Sequence, residues 1–253
     1  MTLPVVAPFM SRRTSAPLLS MRSVRKTFGK GLSRHAGGRV VLRHIDLELH
    51  AGEIIGVAGD ESSGKTALLQ CAAGLLSHDS GEITWFGDSV GRSGAVQGVE
   101  FVPAVPEYYP FLTVRDVLEL RASRAATDVQ GCLQTVDETM LRLGLANLEK
   151  CPVMKLTRAE QKHLAVAESM VANPRALLID GSPSDTVSFA APVLLRTLSD
   201  FALRGGAVMI AARELSCLKR IASRCVMVAD GIIADTRSLQ DLPMPRFVAE
   251  RVH

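Results

Sequence analysis

Gly59-Asp60-Glu61-Ser62-Ser63-Gly64-Lys65-Thr66 is the stretch that decides how this chain is read. Its spacing, G-x-x-x-x-G-K-[ST], is that of a phosphate-binding loop. The flanks agree. Ile54-Ile55-Gly56-Val57-Ala58 is an apolar run that predicts a buried strand before the loop, and 66–73 predicts a helix after it. Strand, glycine loop and helix form the context such a loop needs. Backbone N–H groups and the positive end of the helix then point at an anionic phosphate. Lys65 adds a point charge for the terminal phosphates, and the Thr66 hydroxyl is a ligand for Mg²⁺. The plain alternative is a glycine turn that starts an ordinary helix.

The bulk of the chain sets limits around this loop. A length of 253 residues can bury a full core as one large domain or two lobes. Apolar residues make up 47% and charged residues 22%, ordinary for a globular protein. The net charge of +3 is too small for a nucleic-acid grip based on charge alone, so no nucleic-acid partner is expected. No apolar run reaches the length of a membrane span. The five cysteines, Cys71, Cys132, Cys151, Cys217 and Cys225, form no C-x-x-C pair, and their odd number fits no closed disulfide framework. Reduced thiols and no structural metal are the expectation.

Residues 1–20 place their apolar part before Ser11-Arg12-Arg13, the wrong order for a secretory signal. Arginines without acids would suit a transit peptide. The expectation is a disordered tail over 1–20, or a true start at Met21, with a single nucleotide-binding domain over 21–253.

Strands are predicted at 21–28, 40–49, 82–86 and 100–103. A helix capped near Thr113 and another over 129–143 follow, and Thr157-Arg158-Ala159-Glu160 forms a capping box for a helix that ends at Asn173-Pro174. Buried strands return at 176–180, 207–211, 226–229 and 232–234. The pattern predicts an α/β fold with a mostly parallel core sheet and an inserted helical lobe at about 104–172. Asp180 closes the apolar run Leu177-Leu178-Ile179, where a second acid for Mg²⁺ belongs.

At this point the chain resembles the ATP-binding subunits of ABC transporters, over about 21–242. Phe28 matches the family's adenine-stacking aromatic residue. Asp79-Ser80-Gly81-Glu82-Ile83 matches the turn after the phosphate-loop helix. Pro110 and Leu112-Thr113-Val114-Arg115 match the segment that touches the membrane subunit, 156–170 the signature helix, Asn173 to Asp180 the second metal motif, and Asp230-Gly231 the late hairpin. The resemblance implies a P-loop NTPase fold of the ABC type with an added antiparallel part. ATP would be held by Phe28 and Gly59, Asp60, Glu61, Ser62, Ser63, Gly64, Lys65 and Thr66, and Mg²⁺ by Thr66 and Asp180. It also implies a second ATP-binding subunit whose signature faces the phosphate, a permease partner, and a cytoplasmic position peripheral to the membrane.

The departures are concentrated in the catalytic positions. The family's glutamate after the metal aspartate is Gly181, its histidine after the penultimate strand is Arg213, and its lobe-linking glutamine is Ala104. The signature is Leu156-Thr157-Arg158-Ala159-Glu160, in which Thr157 keeps a hydroxyl and Arg158 adds bulk. No residue stands out as a confident catalytic group. Glu61, Glu214 and Asp185 are near the motifs but not in the family's base position. Two functions remain open: a transporter subunit with weak intrinsic hydrolysis, and a non-hydrolysing ATP-dependent switch. The aromatic cluster Tyr108, Tyr109 and Phe111 fits either a groove on a membrane partner or the interior of the helical lobe.

Overall fold

A computed structural model of the chain describes residues 16–29, 38–91, 94–124, 129–181, 191–213 and 218–238. In chain order the elements are β1 (Leu19–Phe28), β2 (Arg39–Leu49), β3 (Ile54–Ala58), α1 (Lys65–Ala72), β4 (Ser80–Trp85), β5 (Asp88–Ser89) and β6 (Val99–Val102). Then come α2 (Val114–Ala122), α3 (Val129–Arg142), α4 (Arg158–Val171), β7 (Ala176–Ile179), α5 (Ala191–Leu203), β8 (Ala207–Ala212), β9 (Arg224–Ala229) and β10 (Ile232–Ser238).

The strands form one ten-stranded sheet in the order β5-β4-β1-β2-β10-β9-β3-β8-β7-β6. From β9 to β6 every pairing is parallel. From β5 to β2 every pairing is antiparallel. The two parts join where Ile232 of β10 lies beside His44 of β2.

The parallel strands are buried on both faces, which is why they read as unbroken apolar runs. Alternate residues go to opposite cores. Ile54, Ala58, Leu177, Ile179, Val208 and Ile210 face the core shared with α2, α3, α4 and α5. Ile55, Val57, Leu178, Met209 and Val226 face the core shared with α1 and the antiparallel strands. Each fully buried leucine or isoleucine contributes about 1.5–3 kcal/mol of transfer free energy. In the second core the Trp85 indole donates to the Ala72 carbonyl at 2.7 Å, satisfying one of the open carbonyls at the end of α1. The half-buried Arg224 and Glu53 pair at 2.6 Å, fastening the start of β9 to the turn before β3.

The elements depart from the sequence reading in several places, among them β10, which runs on to Ser238 beyond the expected 234, and β9, which starts at Arg224. β1 begins at Leu19, so Leu19 and Ser20 belong to the sheet and not to the tail. Leu19 is fully buried and lies opposite both Leu49 and Trp85, and this non-local pairing leaves no local pattern. α5 was not anticipated, although Leu194, Leu198, Phe201 and Ala202 recur at helical spacing and are buried. Cys71, Cys132, Cys151 and Cys225 are free thiols, while Cys217 lies outside the described residues. Among the described residues, no helix is long and apolar enough to cross a membrane.

Candidate functional site

Four parallel strands end at one edge of the sheet, and each end carries a residue singled out in the sequence. Gly59 follows β3, Ala104 comes shortly after β6, Asp180 follows β7 and Arg213 follows β8. The C-terminal edge of a parallel sheet is where such folds place ligands.

The phosphate loop depends on two glycines. At Gly59, with φ +152°, a Cβ would stand 2.2 Å from the Val228 carbonyl oxygen and 2.8 Å from Ser63 Oγ. At Gly64, with φ +106°, it would meet the Val41 carbonyl at 2.8 Å. Gly64 is the N-cap of α1, and among the described residues no side chain caps that end. The first amides of α1 are thus left for an anion, with the helix dipole behind them. Lys65 folds back over the loop, donating to the carbonyls of Gly59 at 2.7 Å and of Asp60. Burial pushes the Lys65 ammonium below the usual lysine range, opposed by Asp180, Asp60 and Glu61 and reinforced by Arg213. An entering phosphate would replace these carbonyls with charge.

Thr66 Oγ1 donates to Asp180 Oδ2 at 2.9 Å. A hydroxyl and a carboxylate side by side are a two-ligand protein set for Mg²⁺, which completes its octahedron with phosphate oxygens and water. The donor chemistry therefore fits Mg²⁺ bound together with a polyphosphate. Among the described residues there is no cluster of three or more His, Cys, Asp or Glu that would hold a metal unaided.

Phe28 ends β1 opposite Arg39, and β2 runs from there to Val41, which lies against Gly64. The ring is partly exposed and has the Lys26 ammonium 5.4 Å from its centroid.

The remaining positions bring no general base. Gly181 has no side chain, and its φ of +89° lies in the left-handed region. Arg213 pairs with Glu61 at 3.2 Å across the mouth of the loop, and both side chains are well exposed. Glu61 is therefore engaged with a cation. Asp185 and Glu214, the other acids near the motifs, lie outside the described residues. Ala104 is exposed at the start of the segment 103–112.

The signature turn is the N-terminus of α4. Thr157 is the N-cap, Glu160 returns its carboxylate to Thr157 N and Oγ1, each at 2.8 Å, and Arg158 and Ala159 open the helix. The Thr157 hydroxyl hydrogen is thus committed to Glu160. Of the aromatic cluster, Tyr108 packs against the core, whereas Tyr109 and Phe111 are 71% and 75% exposed and stack at 5.8 Å.

Three features were not anticipated: the Glu61–Arg213 pair, the backbone of Gly181, and Lys162. Lys162 on α4 is buried and donates to the backbone carbonyls of Pro103 and Asp180. Its signal was present, since Lys162 shares a helical stripe with Ala165, Val166 and Ser169.

The family profile described as "ABC transporter" matches residues 42–183. Among curated proteins, the uncharacterized ABC transporter ATP-binding protein YdbJ of Bacillus subtilis is 27% identical over 215 residues, covering 83% of this chain and 68% of that protein. The methionine import ATP-binding protein MetN of Clostridium acetobutylicum is 25% identical over 224 residues, covering 84% and 69%. The pyoverdine export ATP-binding/permease protein PvdT of Pseudomonas syringae pv. tomato is 27% identical, and there the match takes in 91% of this chain but only 35% of that protein. Among solved structures, the dimeric ATP-binding cassette MJ0796 bound to ADP and Pi superposes with a TM-score of 0.75 at 18% identity, covering 87% of this chain and 98% of that one. The subunit cbiO1 from Clostridium perfringens, part of the complex cbiONQ, gives 0.73 at 18%, covering 89% and 90%.

Proposed function

We propose, on the premise that this chain belongs to the ABC transporter family of ATP-binding proteins, that it binds Mg-ATP at an interface between two such subunits and gates a membrane permease with little hydrolysis of its own. The observation that carries the reading is the contrast within one sheet edge. The uncapped α1, Lys65 and the Thr66–Asp180 pair suit Mg²⁺ and a polyphosphate. Gly181, Arg213 and Ala104 supply no group to take a proton from water. Bound Mg²⁺ would neutralise phosphate charge. This chain's own residues would hold the phosphates through α1 and Lys65 and stack the base on Phe28.

Loss of a positioned base costs about 10²–10⁴-fold in rate. Further losses in the same catalytic unit need not multiply that figure. In a pair with an intact subunit, the site on this chain's Lys65 would be the slow one. The opposite site would meet Thr157 and Arg158 of this chain. Tyr109 and Phe111, stacked and exposed, suit contact with a permease, which would place the protein on the cytoplasmic face of a membrane. The second reading, a non-hydrolysing switch, draws on Gly181, because its backbone as well as its side chain departs from what a glutamate needs.

The test is calorimetric binding of Mg-ATP alongside phosphate release. Expected are ATP binding by the parent chain, binding weakened about 100-fold or more in Lys65→Ala by removal of a charged phosphate contact, and only slow residual turnover by the chain alone. Rapid turnover by the purified chain would sink the depleted-site reading. Absence of ATP binding would sink the assignment itself.

A further inference from the structure

Lys162 is 7% exposed, on a helix whose other buried residues, His163 apart, are apolar or small. A buried ammonium is costly unless it is bonded, and this one donates to the carbonyls of Pro103, at 2.6 Å, and Asp180. Those carbonyls end β6 and β7, which pair in parallel through Val102 and Ile179, and Asp180 N donates to Val102 O at 2.8 Å. A cation with several N–H donors can satisfy both strand ends at once.

The bonds on either side of Lys162 continue in two directions. Toward the phosphate loop, the carboxylate of the same Asp180 accepts from Thr66 at the start of α1. Toward the outer face, α4 runs back about one turn to the capping box of Thr157 and Glu160. Ala104, next to Pro103, has no side chain able to make a link of its own.

We infer that Lys162 is a positioning residue that couples this chain's own Mg-ATP site to the signature turn it presents to a partner. The inference rests on the reading that the loop from Gly59 to Thr66 takes Mg-ATP. Nucleotide that draws Thr66 and Asp180 into a new arrangement moves the end of β7. Lys162 carries that movement into α4, because its buried ammonium cannot leave the buried Asp180 carbonyl and the part-buried Pro103 carbonyl without a large cost. The link is a charge on the helix, so it operates without any glutamine at position 104. A run of bonded groups is not itself coupling, and the decisive measurement is transfer of a ligand effect from one end to the other.

The experiment is hydrogen exchange on the full chain with and without Mg-ATP. In the parent, Mg-ATP is expected to slow exchange at 59–68 and also at 157–164, each by about tenfold. Lys162→Met is expected to keep the slowing at 59–68 and lose it at 157–164, and Lys162→Arg to restore part of it. Lys162→Gln, run in parallel, keeps polar donors without the charge and gives the same comparison should the Met variant not fold. Slowing at 157–164 that survives in the neutral variants overturns the inference, as does parental slowing confined to 59–68. No slowing at 59–68 in the parent overturns the nucleotide reading, and the coupling with it.

Discussion

At Gly181 the backbone stands at φ +89°, directly after Asp180. Glycine reaches this region freely, whereas a residue with a Cβ is strained there. The missing glutamate is therefore written into the chain path as well as into the side chain. Gly181→Glu is expected to lower stability by about 1 kcal/mol and to leave phosphate release within about tenfold of the parent. Urea denaturation and a phosphate-release assay check the two halves, and a gain of about 100-fold or more in rate would show that the path adapts. Arg213 carries a related lesson. Its pair with Glu61 is exposed on both sides and worth about 0–1 kcal/mol, so it marks proximity to the loop more than stability.

Among the elements, α2 and α4 start alike. Thr113 caps α2 and exchanges bonds with Asp116 as Thr157 does with Glu160. The Asp116 carboxyl is held below its usual range chiefly by the Thr113 hydroxyl. Thr113→Ala is expected to cost about 1 kcal/mol in chemical denaturation while leaving ATP affinity unchanged, because α2 stands away from the phosphate loop. Both caps were legible in the sequence, as were the phosphate loop and the apolar runs around Ile54, Leu177 and Val208, because each is a local pattern with a local cause. Other parts were not. α5 has helical spacing but follows a stretch without a clear start signal. Leu19 reads as tail because what holds it, Leu49 and Trp85, is distant in sequence. Arg213 is readable as a position, yet its partner Glu61 is not, since ion pairs across strand ends leave no periodic trace. The φ of Gly181 is invisible in a residue that tolerates any φ.

Across the whole molecule, two cores lie on opposite faces of one sheet, and α4 packs into the one that also holds α2, α3 and α5. His163 is buried there, its Nε2 has no hydrogen-bond partner among the described residues, and burial pushes its pKa down to about 4. Unfolded, it titrates near the ordinary histidine value of about 6.5. Between these values the unfolded chain binds a proton that the folded chain does not, so stability falls as pH drops from about 6.5 to about 4 and then levels. The full effect is about 3 kcal/mol. Glu100 and Glu168, raised chiefly by burial, act in the opposite sense, since on acidification the folded form takes up their protons before the unfolded form does. Comparing urea midpoints of the parent and His163→Leu across this range isolates the histidine, and the variant is expected to lose the decline. The sheet also joins distant regions through Trp85, the sole tryptophan, whose indole is bonded to the far end of the helix that starts at the phosphate loop. That helix is about 12 Å long, so a ligand at one end and the fluorophore at the other share a single rigid rod. The ultraviolet emission of Trp85 is therefore expected to shift when Mg-ATP is added to the parent chain and to stay unchanged in Lys65→Ala, a label-free measurement of what enters the loop.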